Sequence, residues 1–314
     1  MVHEGDWLNN QRLAEIHAEE AGPRVKDLVD WGIRIERLTH APGHRYPRGI
    51  WIEGPEFARV LTQEIRKRPG IQLIETFMLT DVLMSGGRCV GAIGLDYRNG
   101  KIIAIEASAV ILCTGGAMRM YRYTTAPEEL TGDGLAAAYR AGAELMDMEF
   151  PMFLPYILIK PDAVNSIDFP YLLSAYLDAK ALNRMGQEYM VKWDRMRLAQ
   201  STRDVNAIAQ MMEVLEGRGS PNDGTYLSLK HIPKNILDRS SDWLPKMIGR
   251  WRYGAFKMKD FLPDLSQDAI ECAPACHFWT GGIKINEDCE TNLPGLYAAG
   301  EGTGGVHGAN RVSG

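Results

Sequence analysis

The residues with the most chemical content lie near the carboxyl end, where Glu301 and Arg311 share a glycine-dense stretch, Gly295-Leu-Tyr-Ala-Ala-Gly-Glu-Gly-Thr-Gly-Gly-Val-His-Gly-Ala-Asn-Arg311. A carboxylate accepts hydrogen bonds from hydroxyl-bearing ligands, and a guanidinium clamps a carboxylate or carbonyl with donors in a planar fork. Glycines let backbone approach a ligand more closely than any residue bearing a Cβ. Leu296 to Ala299 is small and apolar and reads as a buried strand, with Glu301 and Gly300 where it ends. The stretch therefore reads as a cofactor site.

Four further segments carry groups of the same kind. Ala107 to Cys113 is a nearly continuous apolar run ending in Thr114, Gly115 and Gly116, the pattern of a parallel strand opening onto a ligand at its carboxyl end. Thr131-Gly-Asp133-Gly precedes an expected helix from Leu135 to Gly142, whose first amides could face a polar ligand group. Arg203 stands in Ser201-Thr-Arg203-Asp-Val205, and His277 in His277-Phe-Trp-Thr-Gly-Gly-Ile283. Taken singly these residues have plainer readings. Asp133 could be a helix N-cap, Arg203-Asp204 a solvated helix start, and His277 a satisfied core histidine.

The elements that must position these groups are legible in outline. Leu13, Ile16, Ala21, Val25, Leu28 and Val29 mark one face of a helix between Leu8 and Trp31, and Phe57, Val60, Leu61 and Ile65 mark another from Gly54 to Lys67. Four short β-rich runs follow, at Ile71 to Glu75, Asp81 to Met84, Cys89 to Asp96 and Lys101 to Glu106. Gly86-Gly87 and Asn99-Gly100 punctuate them, so a small antiparallel meander is expected. From Pro151 to about Ala275 the character shifts to helix and loop rich in Met, Trp and charge, which reads as an inserted domain.

Composition narrows the function classes. The 314 residues are 45% hydrophobic and 24% charged, ordinary for a globular chain of one large or two medium domains. A net charge of -5 offers no basic footprint for nucleic acid. No apolar run approaches the ~20 residues that cross a bilayer, and the first residues have no signal-peptide pattern. Five cysteines, Cys89, Cys113, Cys272, Cys276 and Cys289, form an odd set without paired spacing, so free thiols in a reducing, cytoplasmic setting are expected, with no metal site.

"GLYAAGE…GGVHGANR", together with the Thr-Gly-Gly and Thr-Gly-Asp-Gly segments, resembles the flavoprotein family of succinate dehydrogenase and fumarate reductase, which includes aspartate oxidase. The resemblance implies an α/β Rossmann-like FAD-binding domain at residues 1–150 and 276–314, with a capping domain (an α+β insert) at 151–275. It implies FAD contacts at Thr114, Gly115, Gly116, Asp133, Gly300 and Glu301. It further implies that Arg203 protonates a substrate carbon while His277 and Arg311 hold a carboxylate. The expected activity is hydride exchange between flavin and an activated C=C bond, with an electron-transfer partner subunit supplying electrons. The alternative is a catalytically weak flavoprotein subunit serving electron transfer or protein interaction.

Two departures qualify this expectation. The family's "M-E-F-x-Q-F-H-P-T" reads Met148-Glu-Phe-Pro-Met-Phe-Leu154-Pro-Tyr156 here, so leucine replaces a histidine that grips a second carboxylate. The family's Thr-Glu pair before Leu182-Asn-Arg-Met-Gly186 also has no counterpart in Tyr171-Leu-Leu173. An unpaired buried carboxylate is costly, so a substrate with one carboxylate or carbonyl is expected in place of fumarate or succinate. No Gly-x-Gly-x-x-Gly follows an N-terminal strand, so the chain reads as the middle of a longer protein or a gene model with a late start.

Overall fold

The computed structural model describes residues 1–35, 37–39, 49–52, 54–237 and 262–311, and the statements below concern these. Residues 238–261 of the expected insert, and the tail at 312–314, lie outside them. Two compact units are formed. One comprises Met1–Ala117, Glu128–Met152 and Phe278–Gly314, the other Met118–Pro127 and Phe153–His277. Met118–Pro127, which the sequence reading leaves with the FAD-binding part, thus groups with the insert.

In the first unit, helix α1 (Gln11–Asp30) starts at Asn10, whose Oδ1 accepts from the N–H groups of Arg12 at 3.0 Å and Leu13 at 3.4 Å. Strands β1 (Arg37–Thr39) and β2 (Gly49–Trp51) pair antiparallel, and α2 (Gly54–Arg66) follows. The meander is β3 (Phe77–Ser85), β4 (Arg88–Asp96) and β5 (Lys101–Glu106). Its second turn is fixed by Asp96, whose carboxylate accepts from the N–H groups of Arg98 and Asn99.

The expected strand at Ile71 to Glu75 does not form. Leu73 and Ile74 are 50% and 40% exposed, and Thr76 at φ 61° breaks the extended run before β3 begins. The run Ala107 to Cys113 is extended in the ladder only at β6 (Val110–Leu112). Its start is held instead from the meander, where Ala107 N–H reaches Val90 O at 2.9 Å and Arg88 Nη2 reaches Ser108 O at 3.0 Å.

Helix α3 (Asp133–Ala141) and strand β7 (Leu145–Met146) complete the middle segment of this unit. In the second unit, β8 (Pro151–Leu158, from Phe153 onward), β9 (Lys180–Leu182), β10 (Thr225–Ser228) and β11 (Ile270–Trp279, as far as His277) form a sheet in the order β8-β11-β10-β9. Helices α4 (Phe169–Tyr176) and α5 (Arg203–Leu215) accompany it. Its core holds Tyr156, Leu158, Tyr189, Met190, Leu227, Ile270 and Cys272.

The chain then returns to the first unit with β12 (Gly282–Ile283), antiparallel to β7, and β13 (Leu296–Ala298), parallel to β6 with Leu296 opposite Val110 and Ala298 opposite Leu112.

Candidate active site

Because β6 and β13 run parallel, the chain leaves both at the same edge, into Thr114-Gly115-Gly116 and Gly300-Glu301-Gly302. Those two loops meet main chain to main chain. A Cβ on Gly302 would sit 3.3 Å from the Gly115 carbonyl oxygen, and one on Gly116 would sit 2.7 Å from Trp279 Cβ and 3.3 Å from Glu301 Oε1. Gly115 and Gly300 also take φ of +74° and +79°, a region that favours glycine. A side chain at these positions would fill the space where backbone is presented.

The acids flank this cradle. Trp279 N–H donates to Glu301 Oε1 at 2.9 Å. Burial pushes the Glu301 carboxyl up, against the opposing effects of the Trp279 N–H and Arg311. Asp133 is the first residue of α3, not its cap. Gly132, at φ 85°, takes the cap position, and the exposed Asp133 carboxylate accepts from the Thr131 hydroxyl at the positive end of the helix dipole. The start of α3 is pressed onto Thr114, since a Cβ on Gly134 would collide with Thr114 Oγ1.

Arg311 is held by an aromatic face. Its guanidinium carbon lies 4.2 Å from the Phe278 ring centroid, and that ring meets His307 edge-on at 5.4 Å and 84°. Burial first, then the nearby Arg311 and His17, push the His307 pKa down to about 4, so its imidazole is neutral at neutral pH.

His277 and Arg203 belong to the second unit. His277 Nδ1 is 2.7 Å from the Thr125 hydroxyl, and Thr125 is itself tied by its N–H to Cys276 O at 3.1 Å. That contact fixes the ring and directs Nε2 to other partners. Arg203, half-buried, opens α5 behind the extended Thr202. Asp204 is exposed in the first turn, the place where an acid complements the helix dipole.

Leu154, at the position of the motif histidine, is 4% exposed and clusters with Ile157, Ala275, Tyr123 and Tyr171. The Tyr123 hydroxyl is already engaged, donating to Asn222 O at 2.5 Å. Leu154 thus presents apolar surface at the motif position, packed with Ile157, Ala275 and the two tyrosines.

Sequence reading passed over Phe278, His307 and Asp147. The first two lie inside quoted motifs, so aromatic or imidazole character next to glycines is the signal that could have found them. Asp147 sits at φ 56°, where burial and then Glu149 raise its carboxyl, and its Oδ2 is buried without a hydrogen-bond partner among the described residues. All five cysteines are free, and burial drives the Cys272 thiol up to about 12. Among the described residues no group of three or more His, Cys, Asp or Glu could hold a metal ion, and no helix is long and apolar enough to cross a membrane.

A glycine-lined main-chain cradle with carboxylates at its rim suits a large cofactor bearing hydroxyls and a planar ring, and the residues present fit a flavin nucleotide. This defines the class, a mixed helix-and-strand flavoprotein. The chain matches the family described as "FAD binding domain" over residues 1–314 and belongs to it, so its cofactor is FAD. It is 35% identical over 324 residues to one subunit of the fumarate reductase (CoM/CoB) of Methanothermobacter marburgensis, covering 99% of this chain and 56% of that protein.

An uncharacterized FAD-dependent oxidoreductase of Methanocaldococcus jannaschii is also 35% identical, over 326 residues, covering 100% of this chain and 57% of the relative. Mycobacterium smegmatis Sdh1, solved in complex with UQ1, superposes with a TM-score of 0.80 at 31% identity, covering 99% of this chain and 54% of that one. The chain thus spans a little over half the length of the relatives it matches.

Proposed function

We propose that this chain belongs to an FAD-dependent oxidoreductase acting on a CH–CH bond next to a single carboxylate or carbonyl. The observation that carries the substrate class is Leu154. It stands at the motif position where the resemblance expects a carboxylate-gripping histidine, and its burial in an apolar cluster supports a substrate without a second carboxylate. In this reading residues 1–150 and 276–314 form a Rossmann-like FAD-binding domain and 151–275 an inserted capping domain. Thr114, Gly115, Gly116, Asp133, Gly300 and Glu301 hold FAD. FAD, when bound, would supply a hydride to one carbon of the double bond, or take one from a C–H of the saturated form in the reverse direction.

The chain's own residues do the rest. His277, its Nδ1 engaged by Thr125, offers Nε2 to a carboxylate or carbonyl oxygen. Arg311, kept on the Phe278 face, offers its planar fork to a substrate carboxylate or carbonyl, and a cationic donor of this kind draws off the charge that builds there during reduction. Arg203 gives a guanidinium proton to the second carbon and regains one from solvent through a neighbouring group. Such a step requires an environment that lowers the cost of the neutral guanidine. Electrons reach the cofactor from a partner protein in the cytoplasm.

The test uses the full-length protein with its FAD reduced anaerobically, followed by reoxidation at the flavin absorbance band. Monocarboxylic enoates are expected to reoxidise it at least about tenfold faster than fumarate, the scale of one lost hydrogen bond to a charged group. Equal rates would overturn the substrate assignment. Reoxidation by neither, with FAD firmly bound, favours the second reading suggested by Leu154, a catalytically weak subunit for electron transfer or interaction.

A further inference from the structure

Helix α5 opens with Arg203, and one turn on it carries a residue a helix interior does not favour, Asn206, which is 1% exposed. A buried amide is tolerated only if its donors and acceptor are used. Asn206 uses all of them. Its Oδ1 accepts from the Tyr156 hydroxyl at 2.7 Å, and its Nδ2 donates to the carbonyls of Ser201 at 2.9 Å and of Ala199 and Thr202 at 3.2 Å. Those carbonyls belong to the turn that leads into Arg203. The side chain therefore gathers the strand-like approach and the first helical turn around one point.

Tyr156 is the other half of the arrangement. It is fully buried, sits at φ 56°, and touches α5 twice. Its hydroxyl reaches Asn206, while its N–H donates to Gln210 Oε1 at 3.1 Å, one turn further along the same face. Gln210 is anchored in turn, with Nε2 donating to Thr225 Oγ1 at 2.8 Å and Cys272 O at 3.0 Å. Two bonds a helical turn apart fix both the rotation and the axial position of α5 against β8. In the family motif the Tyr156 position is a threonine, whose hydroxyl is carried on Cβ and lacks the reach of a phenol.

We infer that Tyr156 and Asn206 are positioning residues that set where Arg203 presents its guanidinium. The inference rests on the reading of Arg203 as proton donor. Neither residue needs to meet substrate. Their effect runs through the backbone at Ser201 and Thr202, because the rotation of the first turn decides which way the Arg203 side chain leaves the helix.

The test compares the full-length FAD protein with Tyr156→Phe, Asn206→Leu and the double variant Tyr156→Phe/Asn206→Leu. Tyr156→Phe keeps the ring and removes only the hydroxyl. The expected result is at least a roughly tenfold fall in kcat with KM and FAD content unchanged, since small displacements of a reacting group cost up to about a hundredfold. The solvent deuterium isotope effect on reduced-flavin reoxidation should rise, as proton delivery becomes limiting. A role in stability alone would not move it. The double variant replaces both polar partners with apolar groups, so it should melt closer to the parent than the sum of its single changes while kcat stays low.

Unchanged kcat and isotope effect in Tyr156→Phe at unchanged melting temperature would overturn the inference. If the parent protein turns over no enoate and no fumarate, the proposed function falls and the assigned role for Arg203 falls with it. Amide hydrogen exchange at residues 202–206 reports the latch independently. Faster exchange in Tyr156→Phe supports it, and an unchanged rate overturns it.

Discussion

The two units solve the problem of holding a ligand in opposite ways. In the first, the candidate cofactor site is mostly main chain. Loops at 114–116 and 300–302 touch through glycines, and a single Cβ added at Gly116 would meet Trp279 at 2.7 Å, while one at Gly134 would run into Thr114. In the second, the candidate substrate groups are side chains braced by other side chains, as Thr125 holds His277 and Asn206 braces the turn before Arg203, and in the first only Arg311, on the Phe278 face, is a candidate of that kind. A surface made of backbone depends on residue size and leaves few substitutions open. A surface made of side chains can be changed one residue at a time.

Three substitutions would break or sharpen that contrast. The largest effect is expected from Arg203→Lys, which keeps charge and loses the planar fork. Turnover should drop ~10²–10⁴-fold, the range a positioned acid contributes, while the flavin spectrum and FAD stoichiometry stay as in the parent. Loss of FAD from this variant would erase the division between the regions.

Gly134→Val should do the converse. Its side chain collides with Thr114 beneath the start of α3, so purified protein should carry far less flavin and lose roughly 2–4 kcal/mol of stability, the cost of strong overpacking. Flavin content after gel filtration and a urea melt check both. Full retention of FAD would show that α3 can move off Thr114 at little cost.

The smallest effect is a pH slope. The His307 pKa is about 4 against an ordinary 6.5, so the unfolded chain binds the extra proton first as pH falls. Stability from this residue is present above about pH 6.5 and is lost as pH falls towards 4. The loss is roughly 2–3 kcal/mol by linkage. His307→Phe should flatten that part of a stability-versus-pH curve, and an unaltered slope would place the titration elsewhere.

What could be read from sequence follows from range. α1, α2 and the β3-β4-β5 meander are local, set by periodicity and by Gly86-Gly87 and Asn99-Gly100. The Thr114-Gly115-Gly116 and Glu301 loops could be recognised because glycine density is a composition signal. The apolar run at Ile71 to Glu75 failed because alternation says nothing about whether a partner strand is available. Asn206 and Tyr156 stayed hidden for the same reason on a larger scale, since the polar group that satisfies each lies in another element. The neutrality of His307 depends first on burial, which has no local signature, although Arg311 stands only four residues away.

The parallel pairing of β6 with β13 has a consequence for how the protein is made. The whole of the second unit's long segment is synthesised between those two strands. β6 must therefore wait, unpaired on that side, while Phe153–His277 emerges and can already begin to fold. Closing so distant a contact is slow, and an exposed strand edge invites wrong partners meanwhile.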